Sequence, residues 1–148
     1  MSEPFQPAFS TPGESPGFLL WQVANTWQRL QRDALADLQL THVQFVLLAS
    51  VVWLYDREGP LTQARVAAHA RTDVMMTSQV LRTLETRGLV VREPHPTDTR
   101  ARALRPTAPG KELAGRAVVR VEEADARMFA VLGPDVPALA SLLRRLAG

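Results

Sequence analysis

Ser78, Gln79 and Arg82 stand at positions i, i+1 and i+4, so on a helix they share one face, and Met75 and Thr86 extend the row by a turn at each end. Glutamine can bond an adenine edge in bidentate fashion, arginine a guanine edge, and serine either, so the set suits the reading of bases in a major groove. Thr77 lies beside them. A second group follows in the loop 95–102, which carries Asp98, Arg100 and Arg102. A long arginine near a hairpin tip fits a narrow minor groove, where the negative potential is strong. The chemistry on offer is recognition of duplex DNA and not bond making. Two plainer readings cover the same residues: an amphipathic helix with a solvated outer face, and a polar turn in which Asp98 bonds its own backbone.

Those residues need a frame, and the surrounding sequence supplies one. Thr62 is placed to cap a short helix reaching His69, with Val66, Ala67 and Ala70 facing inward. Asp73 is placed to cap a second helix over residues 74–87, with Val80, Leu81 and Leu84 as its inward stripe. Gly88 suits the left-handed stop of that helix, Leu89, Val90 and Val91 read as a strand, and Ala103 and Leu104 start its return. The order is a helix-turn-helix followed by a β-hairpin wing. Charge follows it: between residues 61 and 107 eight arginines face four acidic residues, although the whole chain carries only +2. A positive excess on that segment suits phosphates, while arginine used almost to the exclusion of lysine also suits an ordinary solvated surface.

The flanks read as helices around this centre. Residues 1–17, rich in proline and glycine, predict an extended, non-helical arm. Residues 18–56 predict two helices, one running to about Asp37 and one from Val43 to Tyr55 that is apolar almost all round and starts at a Thr41/Gln44 capping box. Residues 57–107 are expected to form the winged helix-turn-helix unit that would bind DNA, and residues 108–148 two further helices. The first of these, with Leu113, Ala117, Val121, Ala124, Met128 and Val131 in a stripe, is expected to run about 25 residues, or ~37 Å, longer than one small domain needs. The last carries Leu139, Leu142, Leu143 and Leu146 on one face, with Arg144 and Arg145 suiting the dipole at its end. Both are expected to meet a second copy of the chain.

Enzymatic classes find little support. With no cysteine there is no disulfide, thiol nucleophile or cysteine-based redox sensor. His42, His69 and His95 lack metal-ligand spacing, and no phosphate-binding glycine loop occurs, so no cofactor and no metal are expected. The apolar run 45–55 is interrupted by Ser50 and too short to span a bilayer, and no basic stretch precedes the first apolar segment. A soluble, cytoplasmic protein is expected.

Taken together, LTQARVAAHA from Leu61, SQVLRTLETRGLVVR from Ser78, the loop triplet Asp98-Thr99-Arg100 and Thr107-Ala108-Pro109-Gly110 resemble the winged-helix core of MarR-type bacterial transcription regulators. The resemblance implies a mainly α winged helix-turn-helix with N- and C-terminal dimerisation helices, working as a homodimer on an operator in double-stranded DNA. It implies that Ser78, Gln79 and Arg82 lie on the recognition helix with Thr77 beside them, that Arg100 is the wing-tip arginine, and that Asp98 helps hold it. It also implies a small-molecule pocket between the dimer helices and the winged helix, for which Trp21, Trp27, His42 and Phe45 are candidates, with Arg29 and Trp53 behind them. Aromatic residues at helical spacing equally read as core, and His42 as a helix cap. The sequence departs from the family pattern in having Thr99-Arg100 where a doubled arginine is common, and in Arg105-Pro106 near the end of the return strand. The alternative is a winged helix that binds a protein partner without specific DNA binding; it would call for exposed aromatic anchors on the Gln79–Arg82 face.

Overall fold

Five of the six α-helices start where a side chain accepts one of their first amides; the last starts without such a cap. The computed structural model describes residues 1–148. The Ser15 hydroxyl accepts the Phe18 N–H and Pro16 takes the first helical position, where its missing N–H costs nothing, so α1 spans Pro16–Leu35. The arm expected to be non-helical therefore gives up its last two residues to α1 and also holds a 3-10 turn, Pro12–Glu14, closed by the Thr11/Glu14 pair. α1 runs into a second 3-10 turn, Ala36–Leu38, and stops at Gln39, whose φ of 56° reverses the chain. The Thr41/Gln44 capping box opens α2 (His42–Glu58) as the sequence predicts. Gly59, with φ 74°, ends it three residues later than expected.

Thr62 caps α3 (Gln63–Ala70) and Asp73 caps α4 (Val74–Thr86), the Asp73 carboxylate accepting the Met76 N–H at 2.8 Å. Strands β1 (Val90–Pro94) and β2 (Arg102–Pro106) pair antiparallel, with Arg92 opposite Leu104 and Pro94 opposite Arg102. Pro106 falls on the last pair, at the end of the strand, where a missing donor does least harm. Leu61 adds a one-residue third strand, exchanging both backbone bonds with Leu104. α5 (Ala108–Phe129) follows from a Thr107 cap, passes a kink at Gly133 and leads into α6 (Val136–Ala147).

Two apolar clusters explain why α2 is hydrophobic on all sides. One face of α2 (Leu47, Leu48, Val51, Leu54) packs with Leu61, Val66, Leu81, Leu84, Leu89, Val90 and Leu104 in the winged-helix core. The other, through Phe45, joins Leu35, Leu38, Leu40, Ala117 and Val121 beneath α1 and α5. The helix-turn-helix unit and the long helices are thus built on one shared helix. α6 and the first half of α1 have no such partner: Leu20, Trp21, Leu142 and Leu146 are exposed in the single chain. By composition the stretch Ala108–Ala147 could cross a bilayer only as one helix, and Gly133, with φ 53°, breaks it in two.

Candidate nucleic-acid interface

α4 presents one face to the core and one to solvent. Leu81 and Leu84 are fully buried, while Met75, Gln79, Arg82 and Thr86 are exposed along the opposite row, with Ser78 half-buried at its edge. Thr77 does not belong to the reading face: it is fully buried, its hydroxyl donating to the Asp73 carbonyl at 2.7 Å and lying 2.6 Å from the Thr72 hydroxyl. Thr77 lies beside Ser78 in sequence, but a rotation of about 100° per residue turns it inward. It locks the helix-turn-helix corner and is turned away from the outward row. Arg82 folds back, Nε donating to the Ser78 carbonyl at 3.3 Å, which leaves its terminal nitrogens outward.

The wing is aimed by bonds to this helix. Arg92 of β1 donates to Glu85 of α4 and to Gln63 of α3, each at 3.1 Å, tying the strand to both helices. At the tip His95 Nδ1 accepts the N–H groups of Thr97 and Asp98, and the Asp98 carboxylate accepts the Arg100 N–H at 3.0 Å. Asp98 therefore organises the turn through backbone. The Arg102 guanidinium turns back to the Arg92 carbonyl at 3.4 Å, which leaves Arg100 as the wing arginine whose guanidinium is unengaged. His95 and Arg92 escaped the sequence reading; the prolines on either side of His95 are the local sign that this turn is fixed.

Pairing within the chain decides which arginines keep a charge free of a carboxylate partner. Arg65 pairs bidentately with Glu58, Arg92 with Glu85, and Arg105 with Glu93. The Arg65 bonds hold the Glu58 carboxyl below its ordinary value, and Glu93 raises Arg105 above its own. Asp73 and Asp98 are occupied by backbone amides. Arg71 is held by the Ala147 and Gly148 carbonyls at the end of the chain and Arg87 by the Gln39 carbonyl at 2.7 Å, so the arginines of the segment without a carboxylate partner or a tether to a distant element are Arg82, Arg100 and Arg102, on α4 and the wing.

The candidate ligand residues are only partly brought together. Trp27 and His42 meet edge to face, ring centroids 4.8 Å apart, and Trp27 Nε1 donates to Asp125 of α5 at 2.8 Å. His42 also borders an open cleft of about 540 Å³ at the α1–α2 junction, together with Gln28, Arg32 and Gln44. Phe45 lies instead in the second core cluster, because it faces α5 one turn into α2, and Trp21, 64% exposed near the start of α1, is not part of the cleft. Trp53 is exposed on the outside of α2 beneath the Arg57 guanidinium.

Burial lowers the His42 pKa, and Asp125 opposes that shift without cancelling it. A depressed histidine is kept neutral by the fold, so its contribution is complete above the unfolded value near 6.5 and is lost as pH falls through the folded value. Thermal midpoints measured from pH 8 to pH 5 are expected to fall below about pH 6.5, and to fall less steeply in His42→Gln. Equal slopes would remove His42 from the account.

Comparison with known proteins agrees with this geometry. The MarR family profile matches residues 40–101, which covers α2, α3, α4, β1 and the wing loop. The chain is 44% identical to the HTH-type transcriptional regulator YdcH of Bacillus subtilis over 82% of its own length and 83% of that protein's. It is 34% identical to the HTH-type transcriptional repressor Rv2887 of Mycobacterium tuberculosis over 78% and 81%. Its fold superposes on the repressor CouR in complex with a 23-mer DNA duplex with a TM-score of 0.83 and 27% identity, covering 97% of this chain and 100% of that one. CouR from Rhodococcus jostii RHA1 bound to p-coumaroyl-CoA superposes with a TM-score of 0.81 and 26% identity over 93% of each chain. Helix-turn-helix, wing and relatives agree: the chain belongs to the MarR family of HTH-type transcriptional regulators.

Proposed function

We propose that this chain acts in the cytoplasm as a homodimeric, ligand-responsive repressor that reads a pseudo-palindromic operator. The observation that carries the reading is the outward row of α4, Gln79 and Arg82, standing beside an unengaged Arg100 on a wing tied to the same helix. Side chains that can bond base edges are thereby held on a rigid frame. The exposed apolar residues of α1 and α6, Leu20, Trp21, Leu142 and Leu146 among them, support pairing with a second copy. Two recognition helices related by a two-fold axis would then meet half-sites about one helical turn apart, and occupancy would block a promoter. CouR bound to DNA and to p-coumaroyl-CoA supports a duplex partner and a small-molecule effector, and Rv2887, named a repressor, supports the sign. In this chain the cleft beside His42 adjoins both α1 and α2, so a ligand there could shift the long helices against the reading unit.

Selection of bound sequences from a random duplex pool, followed by titration against salt, tests the reading. Affinity should fall steeply with salt at two protomers per duplex. Arg100→Ala should weaken binding and flatten the log–log salt slope by about two, one for each protomer of the dimer. Binding that is absent, or indifferent to salt, would sink the proposal. A winged helix that docks a protein partner predicts instead that neither Gln79 nor Arg82 affects duplex affinity.

A further inference from the structure

Three large apolar side chains open the recognition helix, and the core uses none of them. Val74 is 71%, Met75 72% and Met76 42% exposed, whereas the buried stripe of α4 is made of Thr77, Leu81 and Leu84. Met75 is the one that lies in the reading row. It precedes Gln79 by one turn and Arg82 by two, and it sits in the first turn behind the Asp73 cap, which fixes the start of the helix through the Met76 N–H. The first turn of a recognition helix is the part that reaches deepest into a major groove. A thioether there has almost nothing to offer the polar base edges, being at best a weak acceptor. The one apolar feature of a major-groove edge is the C5-methyl of thymine.

We infer that Met75 is a specificity-determining residue that packs on the methyl group of a thymine in each half-site, one or two base steps from the base read by Gln79. The inference rests on the operator reading above and adds a base preference to it. Val74 and Met76, about 100° to either side of the row, flank this contact and keep water from it. The exposed apolar start of α4 is then the dry part of an otherwise polar interface. Its continuity with Gln79, Arg82 and Arg100 makes DNA its occupant in preference to a protein partner.

The test uses the full chain and the duplex selected as above, with each thymine of the half-site replaced in turn by deoxyuridine, which lacks only the methyl. At one position, replaced in both half-sites, the wild type should lose about sixteenfold in affinity, roughly fourfold for each buried methyl. Met75→Ala, a substitution at an exposed site by a strong helix former, should bind the parent duplex about as weakly as the wild type binds the uracil duplex. It should show no further loss when thymine becomes uracil. Met75→Gln, similar in length but polar, should also abolish the thymine–uracil difference. Uniform indifference of the wild type to uracil, or an undiminished thymine preference in Met75→Ala, overturns the inference while leaving the operator reading intact. Failure of the wild type to bind any duplex overturns both.

Discussion

Gly110→Ala should lower stability by about 3 kcal/mol, although alanine is the better helix former. Gly110 is buried in the first turn of α5, where its N–H donates to the Thr107 hydroxyl at 3.1 Å. A Cβ added there would lie 2.0 Å from the Leu89 carbonyl oxygen and 2.9 Å from its carbon. Both are backbone atoms at the junction of α4 and β1, so no rotamer change relieves the contact. The same Leu89 carbonyl accepts the Thr107 N–H, and the Thr107 hydroxyl donates to the Gly88 carbonyl at 2.6 Å. α5 would have to lift off the reading unit, opening the core where Ala114 and Leu89 are both buried. Gly115→Ala is the matched control. It lies one turn and a half further along the same helix, exposed, with nothing within 4 Å of the new Cβ, and should gain about 1 kcal/mol from helix propensity alone. Urea midpoints at one fixed protein concentration decide the matter: the two variants should move in opposite directions. A Gly110→Ala midpoint equal to that of Gly115→Ala would mean that the α5 start is not held against Leu89 at all.

That knot also shows what a single sequence discloses and what it leaves hidden. Caps and periodicity are local, so Thr41, Thr62 and Asp73 mark their helix starts correctly and the wing falls where the glycine and prolines place it. The Thr107-to-Gly110 spacing is visible as a motif, but its cause, a backbone carbonyl from residue 89 pressed against the helix, appears only once the chain is folded. The outward row of α4 was legible to within one residue. Thr77 fails because its neighbours are polar and exposed, while its own hydroxyl closes the turn with Thr72. The pocket fared worst. Aromatic residues at helical spacing do not reveal whether they face a cleft or a core, and Phe45 faces the core. The arm was misread at its edge because proline at a first helical position is permitted, not forbidding.

Asp125→Ala should cost about 3 kcal/mol, and for a reason no sequence pattern indicates. Asp125 Oδ1 accepts from both Trp27 Nε1, at 2.8 Å, and Gln31 Nε2, at 2.7 Å, bonding α5 to α1 across a separation of 94 residues or more. Gln31 is fully buried and its Oε1 has no partner, so the amide depends on this one bond. Removing the carboxylate orphans two donors at once, each of which then bears a desolvation penalty of about 1–3 kcal/mol. Gln31→Leu has the opposite logic. It removes a donor together with an acceptor that is already unsatisfied, keeps a similar volume, and leaves Trp27 bonded to Asp125. That variant should be neutral or slightly stabilising, and in the double mutant with Asp125→Ala roughly half of the single-mutant loss should return, since only Trp27 is then left without a partner. Denaturant unfolding of the four proteins of the cycle measures the coupling directly. Strict additivity would show that Asp125 and Gln31 do not share a bond in solution. The bond joins α1, one helix proposed to meet the second copy, to α5, which leads into the other, α6, so operator binding should weaken in Asp125→Ala more than in Gln31→Leu.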